Sequence, residues 1–309
     1  QMLVGARLDD VESLTDLNGI SDSNQVIAGQ ELLIPDATVM PIVGGSSAVA
    51  TAGAISGTSR TDRIIPARVN GVPLESIFSL SPITRDTVLD IYERGQELGR
   101  NPRAFSKLGD STIENPHFLT RFDDRTYGYN LGEYAYLQDV IDYFAGSYGR
   151  QGVAVRRGMH SWTVFDPAWA DKSQCQPRES ALECEFRLNN PSILLIRLGA
   201  NDVGVPQSYE DSMREILDFS ISNGVIPILG TKGDRNDVAD DPNNRLIRRL
   251  AEEYQLPLWD YDAVAGTLPN RGLTNDGVHM SINFSHDYTA PSTFTTGHGV
   301  NNLTALIVL

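Results

Sequence analysis

Ser111, Asn201, Asp276 and His279 are the residues whose types and spacing could do chemistry together. A serine hydroxyl is a weak nucleophile until a base takes its proton. His279 can be that base if a carboxylate fixes its tautomer and stabilises the imidazolium. Asp276, three residues earlier, can reach it from the same turn. Attack of Ser111 on an ester carbonyl creates an oxyanion, which needs donors placed in advance. The Asn201 side-chain amide offers one, and the Ser111 backbone N–H a second. Taken singly, each surrounding motif also has an ordinary reading: Gly109-Asp110-Ser111 as an Asx-type turn, Asn201-Asp202 as a cap, and Asp276-Gly277 as a turn pair with a satisfied loop histidine. Their order along the chain, each following a strand, favours the catalytic reading.

The elements that must position these residues are legible from periodicity. Helical patterns cover residues 85–98, 131–144 and 209–222, the last closed by Asn223-Gly224. A further helix starts at Asp241-Pro242, with aspartate at the cap and proline in the first turn. Short apolar runs at 104–108, 152–155, 192–198, 225–229 and 256–259 read as strands, with 192–198 the clearest buried one. Strands alternating with helices predict a parallel sheet covered on both faces. In such sheets ligands bind at the carboxyl ends of the strands, where Gly109-Asp110-Ser111 and Gly199–Asp202 fall.

The order of these motifs resembles the SGNH (GDSL-type) hydrolase superfamily, over about residues 106–281. Its first block matches Gly109-Asp110-Ser111, with Ser111 as nucleophile. Its third block, Gly-x-Asn-Asp, matches Gly199–Asp202, with Asn201 as oxyanion donor, and its last, Asp-x-x-His, matches Asp276 and His279. The resemblance implies a three-layer α/β/α sandwich around a mainly parallel five-stranded, flavodoxin-like sheet. It also implies hydrolysis of esters or thioesters, often of acyl groups on sugars or lipids, with no metal or other cofactor. The second block departs from the family's Asn-x-Gly-x-x-Gly. Here the stretch is Arg156-Arg157-Gly158-Met159-His160-Ser161, and Ser161 stands where the donor glycine would be. A backbone N–H survives any non-proline substitution, so Ser161 is expected to donate to the oxyanion beside Ser111 and Asn201.

Residues 1–36 resemble the second half of a LysM module, in the runs 14–20 and 27–35. LysM modules bind N-acetylglucosamine polymers such as peptidoglycan or chitin, so such a glycan is an expected partner; a remnant that only packs on its neighbour is the alternative. Residues 37–70 are rich in Gly, Ser, Ala and Thr, a linker composition. Residues 71–309 then form the hydrolase-type domain.

Composition narrows the partners. The chain of 309 residues carries 25 Lys+Arg against 40 Asp+Glu, a net charge of −15, which argues against nucleic acid and anionic membranes. No apolar run approaches the roughly 18 residues of a membrane span. No signal peptide is visible, and the start at Gln1 reads as a trimmed precursor. Cys175 and Cys184 are the only cysteines, close together with no histidine or further cysteine to complete a metal site. They read as a local disulfide, hence as an exported, extracellular or surface-attached protein. His117 and His160 follow the same strand ends as the motifs. His298 is the rival base, but between Gly297 and Gly299 it has no carboxylate partner in sequence. The acidic stretch 234–244 lacks the glycine and final glutamate of an EF-hand and reads as a solvated loop. The aromatics Phe118, Phe122, Tyr127, Tyr129, Tyr134 and Tyr136 read as core. The expectation is a secreted or surface serine esterase acting on acyl esters, with a carbohydrate as the acylated partner. A non-catalytic glycan-binding protein on the same fold and an acyltransferase using the same residues are the alternatives.

Overall fold

The computed structural model describes residues 66–124, 126–233 and 241–309. The LysM-like runs, residues 37–65 of the linker stretch and residues 234–240 of the acidic stretch lie outside the described residues. Arg68–Val69 (β1) pairs antiparallel with Val72–Pro73 (β2), and Val69 is buried. Packed structure therefore already includes the last residues of the linker-like stretch.

Phe78–Ser79 (β3), Asn101–Gly109 (β4), Pro191–Arg197 (β5), Ile226–Gly230 (β6) and Leu258–Trp259 (β7) form one sheet in the order β3-β7-β6-β5-β4. The pairs β4–β5, β5–β6 and β6–β7 are parallel, and β3 adds an antiparallel edge. The helices are Leu74–Ile77 (α1), Pro82–Glu97 (α2), Ser111–Glu114 (α3), Gln138–Tyr143 (α4), Ala181–Asn189 (α5), Pro206–Ser222 (α6), Pro242–Glu253 (α7), Tyr261–Ala265 (α8) and Gly297–Val308 (α9).

Side chains alternate across a strand, and β5 shows the consequence. Leu194 and Ile196 join one apolar cluster with Met213 and Leu217 of α6 and Ile247 and Leu250 of α7. Leu195 joins a second with Phe105, Trp259, and Val300, Leu303 and Leu306 of α9. The sheet is the middle layer of three, as expected. Local sequence starts the helices: Ser81 accepts the Thr84 N–H at 3.0 Å ahead of α2, Ser180 and Glu183 form a capping box on α5, and Asp241 accepts the Asn243 N–H at 2.8 Å on α7.

Three elements differ from expectation. The stretch 152–155 is not a strand; it makes one parallel bridge, Gly109 to Val155. The buried Glu185 carboxylate takes the Val153 N–H at 2.7 Å and the Ala154 N–H at 3.4 Å, amides a longer ladder could have used. The fifth strand is instead the two-residue β3. The helix over 131–144 is a 3-10 turn, Gly132–Leu137, running into α4, with Gly132 at φ +55° and Tyr134 off helical geometry. Helix α9 carried no readable stripe, because it is buried nearly throughout.

Cys175 and Cys184 are disulfide-bonded, with Cα atoms 5.4 Å apart. Phe118, Phe122 and Tyr134 are buried, and Tyr129 and Tyr136 pack against the same cluster. Tyr127 differs: it is exposed, with the Arg121 guanidinium 5.1 Å from its ring centre. Among the described residues no helix is long and apolar enough to cross a membrane.

Candidate active site

Strand β4 ends at Gly109, where a side chain could not fit: a Cβ would lie 2.4 Å from the Ile113 side chain and 2.8 Å from the Arg197 carbonyl. Asp110 then caps α3. Its Oδ1 accepts from the Thr112 N–H at 2.9 Å and the Thr112 hydroxyl at 2.8 Å. Ser111 is thereby fixed as the first residue of the helical turn, where a backbone N–H has no intrahelical acceptor.

The loop carrying His279 is closed by the Thr274 N–H on the His279 carbonyl at 2.7 Å. Within it, Asp276 Oδ1 accepts the N–H groups of Val278 at 3.0 Å and His279 at 2.9 Å, and the Thr274 hydroxyl at 2.8 Å. Its Oδ2 lies 2.7 Å from His279 Nδ1, and His279 Nε2 lies 2.9 Å from Ser111 Oγ. A carboxylate on Nδ1 favours the tautomer with the proton there, which leaves the Nε2 lone pair facing the serine hydroxyl. The Val278 N–H, followed by the His279 N–H and ring and the Thr274 hydroxyl, holds the Asp276 carboxyl well below the usual carboxylate range. It is therefore charged at neutral pH, although half exposed.

Asn201 lies on the loop after β5, the strand beside β4, whose Arg197 is in register with Gly109. Gly199 opens that loop at φ +112°, and a Cβ there would meet the Tyr209 hydroxyl at 2.8 Å. The Tyr209 hydroxyl donates to the Leu198 carbonyl at 2.9 Å, and Asn243 Nδ2 to the Gly199 carbonyl at 2.9 Å. One Asn201 amide hydrogen goes to the Met159 carbonyl at 3.0 Å. An amide nitrogen carries two hydrogens, so one remains for a ligand.

Ser161 differs from expectation. Its N–H donates to the two oxygens of Asp202 at 3.1 and 3.2 Å, and its hydroxyl to Oδ1 at 2.8 Å. Both residues are buried. The amide expected to face an oxyanion is already engaged, because the carboxylate that follows Asn201 is aimed back at it. Asp202 is thus a site residue whose capping reading was too modest: it locks the 159–163 turn to the Asn201 loop. His160 borders the same carboxylate, with Nδ1 3.9 Å from Oδ1. His298 does not replace His279. It is buried, its ring nitrogens have no hydrogen-bond partner, and burial pushes its imidazole down to about 3.

No family model and no curated protein sequence matches the chain. Solved structures do. A lipolytic protein of the G-D-S-L family from Desulfitobacterium hafniense is 14% identical, covering 67% of this chain and 99% of its own, with a TM-score of 0.40. A GDSL-like lipase from Bacteroides thetaiotaomicron is 15% identical over 71% of this chain and 96% of its own, with a TM-score of 0.39. The acetylxylan esterase Axe2 from Geobacillus stearothermophilus is 16% identical over 66% and 93%, with a TM-score of 0.40.

Proposed function

We propose that this protein is an exported serine ester hydrolase of the SGNH type that removes acyl groups from a carbohydrate. The observation that carries the reading is the continuous chain of contacts from Asp276 through His279 to Ser111, at 2.7 and 2.9 Å. Ser111 Oγ attacks the ester carbonyl and gives its proton to His279 Nε2, while the Asp276 carboxylate stabilises the imidazolium. The Ser111 N–H and the remaining Asn201 amide hydrogen receive the oxyanion. His279 returns the proton to the leaving alcohol, and water then resolves the acyl-enzyme by the same steps in reverse. Export is supported by the Cys175–Cys184 bond. A carbohydrate as the alcohol is the implication of the sequence resemblance, and the LysM-like runs within residues 1–36 would hold the enzyme near such a glycan.

Turnover of 4-nitrophenyl acetate tests the catalytic part. Ser111→Ala should lower it by about three orders of magnitude or more, as removal of a catalytic serine does, with the circular dichroism spectrum retained. Wild-type turnover in that variant would end the proposal.

A further inference from the structure

We propose that the open cleft beside α3 is a binding groove for a carbohydrate chain, with Trp169 in its wall and Trp162, which meets Trp169 edge to face, extending the aromatic surface beyond it. The inference rests on the esterase reading and extends it: the ester that Ser111 attacks would be a substituent on a glycan chain held in this groove. The cleft has a volume of about 930 Å³, and Glu114, Arg156, Trp169, Asp171, Gln174 and Asn189 are among its walls. That is at the upper end of the roughly 300–1,000 Å³ usual for small-ligand sites. Two of its wall residues adjoin the strand end that carries Ser111. Glu114 is on the same helical turn as Ser111, and the Arg156 N–H donates to the Gly109 carbonyl at 3.1 Å, two residues before that serine.

The wall chemistry selects the ligand class. Both charges, amides and an indole line the cleft, together with small aliphatic side chains such as Val153, Val155 and Leu188. The carboxylates of Glu114 and Asp171 share these walls with Arg150, Arg156 and Lys172, so neither sign of charge runs as an unbroken track. A sugar ring presents hydroxyls around its edge and a C–H face that packs on an aromatic ring, which matches this mixture.

The aromatic side chains are held in place before any ligand arrives. The Arg156 guanidinium lies 5.1 Å from the Trp169 ring centre, and its Nη1 donates to the Trp169 carbonyl at 2.5 Å. Trp162 meets Trp169 edge to face at 6.3 Å, and the His160 ring lies 5.8 Å from that of Trp162. Trp162 is 49% exposed, yet its neighbours Ser161 and Thr163 are buried in a tight turn tied to Asp202. An aromatic ring on a fixed backbone loses little freedom on binding. The row His160, Trp162, Trp169 therefore runs from the Asn201 loop to the cleft.

The test compares Trp162→Ala, Trp169→Ala and Trp169→Phe with the wild type on 4-nitrophenyl acetate and on acetylated xylan. It adds calorimetric titration of Ser111→Ala, alone and combined with each tryptophan variant, with xylohexaose and with chitohexaose. The proposal expects each alanine variant to lose at least tenfold more kcat/KM on the polymer than on the small ester, mainly through KM. Trp169→Phe should recover most of that loss. It also expects Ser111→Ala to bind one of the two hexasaccharides and to lose that binding with either tryptophan; the hexasaccharide bound identifies the glycan. Equal losses on polymer and small ester, or no binding of either hexasaccharide, would overturn the groove. If the wild type proves inactive on both esters, the esterase reading fails, and tryptophan-dependent hexasaccharide binding still decides the groove.

Discussion

Replacing Asn201 by alanine removes the amide proposed as an oxyanion donor, and donors of this kind contribute about 3–4 kcal/mol to the transition state. Asn201→Ala should therefore lower kcat on a small ester by about two to three orders of magnitude. Ser161→Ala keeps the N–H that Asp202 binds and loses one hydroxyl bond, so kcat should fall less than about tenfold. Asp202→Ala leaves the Ser161 N–H and hydroxyl buried without their acceptor, a cost of about 2–4 kcal/mol in urea unfolding. A kcat loss in Ser161→Ala as large as that in Asn201→Ala would contradict this assignment. That Ser111, Asp276 and His279 meet was readable because a hydroxyl, an imidazole and a carboxylate each have a chemistry that names its partner. The Ser161 bond was not readable, since the acceptor that captures its N–H sits 41 residues away on another loop.

At the scale of elements, one carboxylate shapes the edge of the sheet beside β4. Glu185 of α5 is fully buried and accepts from the Ser106 hydroxyl at 2.6 Å, Asn189 Nδ2 at 2.6 Å, and the Val153 and Ala154 amides. These bonds hold the segment from which Val155 and Arg156 reach Gly109, just ahead of Ser111. Glu185→Ala strands these donors, so urea unfolding should show a loss of about 3–5 kcal/mol. Glu185→Gln keeps an acceptor and should lose less. Equal stability of Glu185→Ala and the wild type would mean the carboxylate is not the organiser of this edge. The stretch 152–155 has strand-like composition, and its departure from a strand depends on this buried partner in α5, which periodicity does not report. Strands β4 to β6 and helices α2, α6 and α7 were legible for the opposite reason: each carries its own apolar run or stripe, and α7 its own Asp241 cap. Helix α9 is buried on nearly every face, with His298, Asn301, Asn302 and Thr304 among its buried residues, so polar and apolar positions mark no exposed and covered sides.

For the molecule as a whole, acid is the condition that should unfold it. Burial pushes His286 down to about 4 and His298 down to about 3, the latter with His117 and Arg197 also lowering it. In the unfolded chain both titrate near 6.5. The folded state therefore binds fewer protons below that pH. The contribution of these groups is fully present above about pH 6.5 and is lost as pH falls toward 4 and then 3, at up to about 1.4 kcal/mol per unit for each histidine. Urea midpoints between pH 7.5 and 4.5 should fall accordingly, and His298→Leu should flatten the slope. An unchanged slope in that variant would show that His298 is not held neutral. The layered architecture was legible at this scale because short apolar runs alternate with amphipathic helical patterns, which calls for a sheet covered on both faces. The edge strand β3 was not, since two residues carry no pattern.

The central claim is that Ser111 is a nucleophile activated by His279, and labelling with a fluorophosphonate tests it most directly. Intact-mass and peptide analysis should find one adduct on the wild type, on Ser111. There should be none on Ser111→Ala, and labelling of His279→Ala should be slower by at least about two orders of magnitude. An adduct on another serine, or equal labelling of wild type and His279→Ala, would contradict the account.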